Sequence, residues 1–251
     1  SVDSTLSENI TAAQDYIPVA STTNFSTSVV AEIETTNEVV SFTDISSNLM
    51  SYSEQFDNAA WIKSNLTISA DSTTAPDGTT TADSWLSTAT SSCYISRDAS
   101  GTGGDTYTFS IFAKAGDMNW FRISNVSSGA SGGWFNLTDG TLGTSNGVGN
   151  VSTITSVGDG WYRCERKFAS YVTGGTSVIY APSSADGATT APGSNKFIYF
   201  WGAQVEKASS ASTYLPTTSS ALVGLTNVTR GVNGTTAATA SSGDAIQQLP
   251  Y

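Results

Sequence analysis

Apolar and polar residues alternate along this chain in short runs, the period of half-buried β-strands, and a helical period is almost absent. Tyr107-Thr108-Phe109-Ser110-Ile111-Phe112-Ala113 alternates and stops at the turn Lys114-Ala115-Gly116-Asp117. Trp120-Phe121-Arg122-Ile123 follows, and Gly133-Trp134-Phe135-Asn136-Leu137 runs into Thr138-Asp139-Gly140. Trp161-Tyr162-Arg163-Cys164-Glu165-Arg166-Lys167-Phe168 alternates after Gly158-Asp159-Gly160, and Lys196-Phe197-Ile198-Tyr199-Phe200-Trp201-Gly202 is apolar enough to predict a central strand. One helical turn with an Asp or Asn cap is predicted at Asp57-Asn58-Ala59-Ala60-Trp61. The Ser/Thr/Ala/Gly stretches at 71–81, 143–153, 181–194 and 237–243 read as exposed loops. Many short strands between Gly and Asn turns predict an antiparallel β-sandwich.

The two ends of the chain differ from its middle. Ile17-Pro18-Val19-Ala20, the β-rich runs 29–33 and 39–45 joined through Thr36-Asn37, and the late run Leu222-Val223-Gly224-Leu225-Thr226-Asn227-Val228 read as pieces of one small β unit. Neither end alone is long enough to bury a core, because about 40 residues is the lower limit for unaided folding. Joined, they share one apolar face. An insert is accepted at a hairpin tip when its own ends lie close together. The division is therefore a discontinuous β domain, residues 1–46 and 220–251, carrying an inserted domain over 47–219. Asn233-Gly234 is a turn signal, and Gly231 is expected at positive φ. Arg230 is expected to bond carbonyls or one of Glu32, Glu34 and Glu38, in a structural role.

Composition narrows the function. Charged residues make up 12% of the chain, so solubility rests on uncharged polar groups, a pattern common on extracellular and virion surfaces. The net charge of -11 opposes binding to nucleic acid phosphate and anionic lipid. Arg163, Arg166 and Lys167 form the densest basic group, and on a strand they divide between faces, as ion-paired or solvated side chains. With no histidine and only Cys93 and Cys164, the chain lacks Ser-His-Asp and Cys-His arrangements and cysteine-rich zinc sites. The two cysteines are expected to be free. No apolar run is long enough for a membrane helix, and the N-terminal residues do not have the pattern of a signal peptide.

Two resemblances add to this reading. The end segments, with Thr229-Arg230-Gly231-Val232-Asn233-Gly234-Thr235-Thr236-Ala237-Ala238, resemble a short β repeat of tailed-phage virion proteins. Thr239-Ala240 stands where relatives often carry a histidine. The middle resembles a phage-associated jelly-roll module of the concanavalin-like, carbohydrate-binding type. That likeness rests on Asn48-Leu49-Met50-Ser51-Tyr52-Ser53-Glu54-Gln55-Phe56-Asp57-Asn58-Ala59-Ala60-Trp61, Ala75-Pro76-Asp77-Gly78-Thr79, Gly160-Trp161-Tyr162-Arg163-Cys164, Trp201-Gly202-Ala203-Gln204-Val205-Glu206 and Ser212-Thr213-Tyr214-Leu215-Pro216-Thr217. The resemblances imply an all-β fold, an antiparallel jelly-roll β-sandwich inserted into a small discontinuous β domain. They also imply a place on the exterior of a virion, with capsid or other virion proteins and host surface glycans as partners.

Candidate chemistry is sparse. Carboxylate pairs suffice for glycosidases, but Asp98, Asp105, Asp139, Asp159, Glu165 and Glu206 fall singly along the sequence. The expectation is a protein without catalytic activity. Flat aromatic rings bind the apolar face of a pyranose, with amides and carboxylates fixing orientation. Trp61, Trp161 and Trp201 lie in the family-like motifs and read as core, which leaves Trp85, Trp120 and Trp134, with Asn119, Asn136 and Asp139, as the candidate glycan site. No cofactor is expected; acidic turns admit a structural calcium, but no spacing matches an EF-hand loop. The functional expectation is a structural virion protein, a capsid decoration or cement protein, with a tail fibre or receptor-binding protein as the alternative and a polysaccharide-degrading enzyme as a third reading. A homo-oligomer, as a trimer on a capsid threefold axis, fits that setting.

Overall fold

The computed structural model describes residues 4–23, 25, 29–99, 103–125, 132–169, 177–191, 193–242 and 244–249. Among these residues there are strands and turns but no helix. The first strands are β1 (Ser4–Thr5), β2 (Ile17–Val19), β3 (Val29–Ile33), β4 (Glu38–Phe42), β5 (Asp44–Asn48), β6 (Ile62–Ser64), β7 (Leu66–Thr73), β8 (Ala82–Ser87), β9 (Tyr94–Asp98) and β10 (Tyr107–Lys114). They are followed by β11 (Trp120–Asn125), β12 (Gly132–Asn136), β13 (Thr141–Ser145), β14 (Val151–Gly158), β15 (Trp161–Phe168), β16 (Ser177–Ser183), β17 (Phe197–Glu206), β18 (Leu222–Thr226) and β19 (Ala245–Gln248). Two compact units result. One comprises Ser1–Asn48, Ser212–Leu215 and Ala221–Tyr251, the other Leu49–Ala211 and Pro216–Ser220.

The first unit draws both of its sheets from both ends of the chain, in the orders β1-β19-β3-β4 and β2-β18-β5. β5 and β18 run antiparallel with Asn48 opposite Leu222 and Asp44 opposite Thr226, so they are the two arms of a hairpin whose connection is the whole second unit. The run 39–45, expected as one strand, breaks at Thr43: β4 joins one sheet and β5 the other. Ile17, Ile33, Val40, Phe42, Leu225 and Ile246 lie in a shared core. Beside it, the Arg230 guanidinium donates to both carboxylate oxygens of Glu38 at 2.6 Å and to the carbonyls of Thr11 and Ala238. The Glu38 side chain is 0% exposed and also accepts from the Gly231 and Ala238 amides. Burial raises its pKa, but the arginine and the amide donors outweigh that and hold it below the ordinary glutamate value. Gly231 sits at φ 63, where a Cβ would also meet the Ala237 amide nitrogen at 2.9 Å, so glycine is needed to bring Arg230 back over Glu38.

The second unit is an antiparallel sandwich of two six-stranded sheets, β14-β15-β10-β17-β8-β7 and β13-β12-β11-β16-β9-β6. Strand alternation sends Phe109, Ile111, Ile198 and Phe200 from one sheet, and Phe121, Ile123, Phe135 and Tyr180 from the other, into one core. β17 lies between β10 and β8, the central position predicted for it. The predicted helical turn at 57–61 is a chain of turns instead, because the Asn58 side chain accepts from the Ala60 amide and the Asn58 carbonyl from Trp61. The stretches 71–81, 143–153 and 181–194 are not wholly loop: they contain the end of β7, the end of β13, the start of β14 and the end of β16. Cys93 and Cys164 are free and buried. Among the described residues Arg166 has no ion-pair partner, and it is not solvated. It is 0% exposed, and its guanidinium donates to the hydroxyls of Ser145 and Ser152 and to the Asn146 carbonyl. Burial lowers its pKa to about 10.

Candidate functional site

The structure separates the three candidate tryptophans. Trp85 is 0% exposed and packs between Phe56 and Phe200, at centroid distances of 5.1 and 4.0 Å. It faces the core because it shares a strand face with the buried Asp83 and Ser87. Trp134 points away from the core on β12, yet it is 2% exposed. The segment after β16 closes over it: its indole N–H donates to the Ala188 carbonyl at 2.7 Å, and the Arg122 guanidinium lies 5.5 Å from its ring. Neither ring offers a free face, which corrects the expectation that these two form an exposed platform.

Trp120 differs. It is half-buried, on the outward face of β11 because Phe121 and Ile123 take the inward one, and it stands opposite Asn136 on β12 and Ser183 on β16. Its ring lies over Gly143 of β13, where a Cβ would come within 2.6 Å of it. Asn119, Asn136 and Asp139 gather at the same end of the β11–β12 hairpin. Asn119 donates from its amide to the Thr138 hydroxyl at 2.7 Å, Asn136 accepts from the Thr138 amide at 3.0 Å, and one Asp139 oxygen accepts from the Thr141 amide and hydroxyl. These bonds leave the Asn136 amide N–H2, the Asn119 carbonyl oxygen and the second Asp139 oxygen without partners among the described residues. Sequence reasoning missed Asp186, which borders the same ring beside Gly143 and accepts from the Thr144 amide and hydroxyl at 2.6 and 3.0 Å.

It also missed the carboxylates that converge. Glu54, Asp57, Asp71 and Asp83 line one recess of about 430 Å³, with Gln55, Asn58, Ala70 and Thr81. Asp83, 1% exposed, accepts from the Phe56 and Asp71 amides at 3.1 Å each. Burial pushes its carboxyl up to about 7 against those two hydrogen bonds, and the charges of Asp57 and Asp71 add to the rise. A polar residue at an inward strand position, Asp83 of Ala82-Asp83-Ser84-Trp85, was the available signal. Of the carboxylates considered from sequence, Asp105 pairs with Lys207 at 2.7 Å, Glu165 accepts from the Ala211 amide and Glu206 is buried. Among the described residues no group of three or more His, Cys, Asp or Glu is placed to hold a metal ion.

Trp61 belongs to the core, as expected, but Trp161 and Trp201 are buried outside it. They sit on the outer face of their sheet beneath the β7–β8 connection, donating from their indoles to the Thr74 carbonyl and the Thr81 hydroxyl at 3.1 and 3.0 Å.

No protein-family model matches this chain, and no curated protein matches it. Among solved structures it is similar to the enzymatically active domain of tailspike protein 4 of bacteriophage CBA120, with 12% identity and a TM-score of 0.25. The match covers 73% of this chain and 21% of that one, so the chain spans about a fifth of that domain's length. A TM-score this low carries no activity or family across. That solved structure is described as enzymatically active, a description of that protein, and the expectation of a protein without catalytic activity is not carried further.

Proposed function

We propose that this chain is a virion-associated protein of a tailed bacteriophage, whose sandwich unit engages polysaccharide at the Trp120 surface and whose discontinuous unit attaches it to the particle. One observation carries the reading of the site: a half-exposed indole over Gly143, with the Asp186 carboxylate beside it and Asn136 opposite it, whose amide N–H2 the turn does not consume. An apolar ring face with polar groups at its rim is what a pyranose requires. Glycan arrays and purified host polysaccharides test it. Trp120→Ala is expected to weaken binding about tenfold, roughly 1.4 kcal/mol; unchanged binding, or no glycan bound by the native chain, overturns the assignment. The setting on the particle is the capsid exterior, as a decoration protein, and quantitation of copies per virion tests that: hundreds support the capsid, a dozen or fewer the tail.

A second reading, polysaccharide cleavage, is favoured by the recess at Asp83. A carboxyl near pH 7 beside other carboxylates has the makings of a general acid. Reducing-end release from host polysaccharide, lost in Asp83→Asn, supports cleavage; no release by the native protein rejects it.

A further inference from the structure

β14 stands at the edge of its sheet, paired with β15 on one side and with no described strand on the other. Edge strands ordinarily carry a lysine, a proline or a bulging glycine that discourages pairing with another chain. From Val151 to Ser156, β14 carries none of these; its one bulge falls at Val157, before Gly158 at φ 96. Its outward row is exposed and β-branched: Val151 and Val157 are 48% and 43% exposed, with Thr153 and Thr155 exposed between them. The residues Val151-Ser152-Thr153-Ile154-Thr155-Ser156-Val157 read the same in both directions about Ile154.

We infer that β14 is a self-association edge, at which two copies of this chain pair β14 to β14 in antiparallel register about a twofold axis through Ile154. An isologous contact needs one surface to be complementary to itself. In this register Ser152 meets Ser156, Thr153 meets Thr155, and Ile154 meets its own copy, and the pairing ends at the bulge at Val157. Hydroxyl faces hydroxyl on either side of the central isoleucines, pairings that stabilise antiparallel strands. The strand is uncharged in a chain of net charge -11, so two copies meet here without like charges opposed. The six strands of one sheet continue into the six of the other copy. A twofold edge gives a dimer as the building unit, in place of the threefold arrangement expected from the capsid setting.

Sedimentation equilibrium on the whole chain tests this, with far-UV circular dichroism and tryptophan emission recording that each variant is folded. The native chain is expected to dimerise, with β14 amide exchange slowing as concentration rises. Thr153→Lys with Thr155→Lys places lysine opposite lysine twice across the axis and is expected to weaken the dimer at least tenfold. Thr153→Lys with Thr155→Glu places Lys opposite Glu at both positions and is expected to restore it. A native chain that stays monomeric at all concentrations overturns the inference. So does a double-lysine variant that dimerises as tightly as the native chain, or a Lys/Glu variant that associates as weakly as the double-lysine one.

Discussion

Replacing Arg230 with methionine removes one partner of a buried pair whose members lie 192 residues apart in sequence. The Glu38 carboxylate, 0% exposed, would keep only the amides of Gly231 and Ala238. Breaking such a pair costs about 3–5 kcal/mol, mostly the orphaned charge rather than the lost attraction. Glu38→Gln leaves Arg230 with two carbonyl acceptors and is expected to cost less, about 2–3 kcal/mol, the worth of hydrogen bonds to a charged group. The double replacement by methionine orphans neither charge, so its cost falls below the sum of the single costs. The two units can be followed separately, because all six tryptophans, Trp61, Trp85, Trp120, Trp134, Trp161 and Trp201, fall within the sandwich unit. Thermal unfolding by far-UV circular dichroism should show the first unit's transition falling by at least about 12 °C in Arg230→Met, at 4–8 °C per kcal/mol. The tryptophan emission transition should stay in place. The deficit should narrow in acid: the pKa of Glu38 is lowered in the folded state, so its contribution is present above the unfolded value and is lost as pH falls through the folded one. A shift under 1 kcal/mol, or an equal shift of the tryptophan transition, would refute the reasoning.

Asp83 gives the opposite pH dependence. A folded carboxyl raised from 3.8 to about 7 withdraws about 4 kcal/mol of stability as pH climbs from 4 to 7, so the stability of Asp83→Asn relative to the native chain should rise by about that amount between pH 4 and pH 8, whatever the fixed cost of facing one of the two amides with an N–H2, read by tryptophan emission in urea. Trp134→Ala should cost the sandwich unit about 3–5 kcal/mol in the same urea titration, as a buried ring does, whereas Trp120→Ala should cost less than half as much. Gly143→Val should displace the Trp120 ring, seen as a change in its emission and as lost glycan binding with the fold intact by circular dichroism.

Within the first unit some local features were legible: β2 and β3 are short strands rich in β-branched residues, and Asn233 and Gly234 take the positive φ values their dipeptide suggests. Arg230 offered three glutamates from sequence; register chose Glu38, since β4 is the strand beside the returning segment. Side-chain exposure was less legible. Alternation places Trp134 on an outward face, and only the folding back of the segment after β16 buries it. Trp161 and Trp201 are concealed in the same way by the β7–β8 connection. β14 reads as the tail of a loop because its outward residues are threonine and valine and its inward ones serine and isoleucine, so the contrast in hydrophobicity that marks a strand is weak; β-branching was the surviving signal. The convergence of Glu54, Asp57, Asp71 and Asp83 depends on the β7–β8 pairing and on the turns at 55–61, neither of which leaves a motif in the sequence.

The central claim is that the two ends of the chain are one folded body, into which Leu49–Ala211 and Pro216–Ser220 are inserted. Joining residues 1–48 to 222–251 through a two-residue Asn-Gly turn, at the point where Asn48 faces Leu222, tests it most directly. The shortened chain is predicted to give a β-type circular dichroism spectrum, a cooperative unfolding transition and amide protection on β3, β5 and β18. A chain that is unfolded in water, with unprotected amides and no transition, would contradict it.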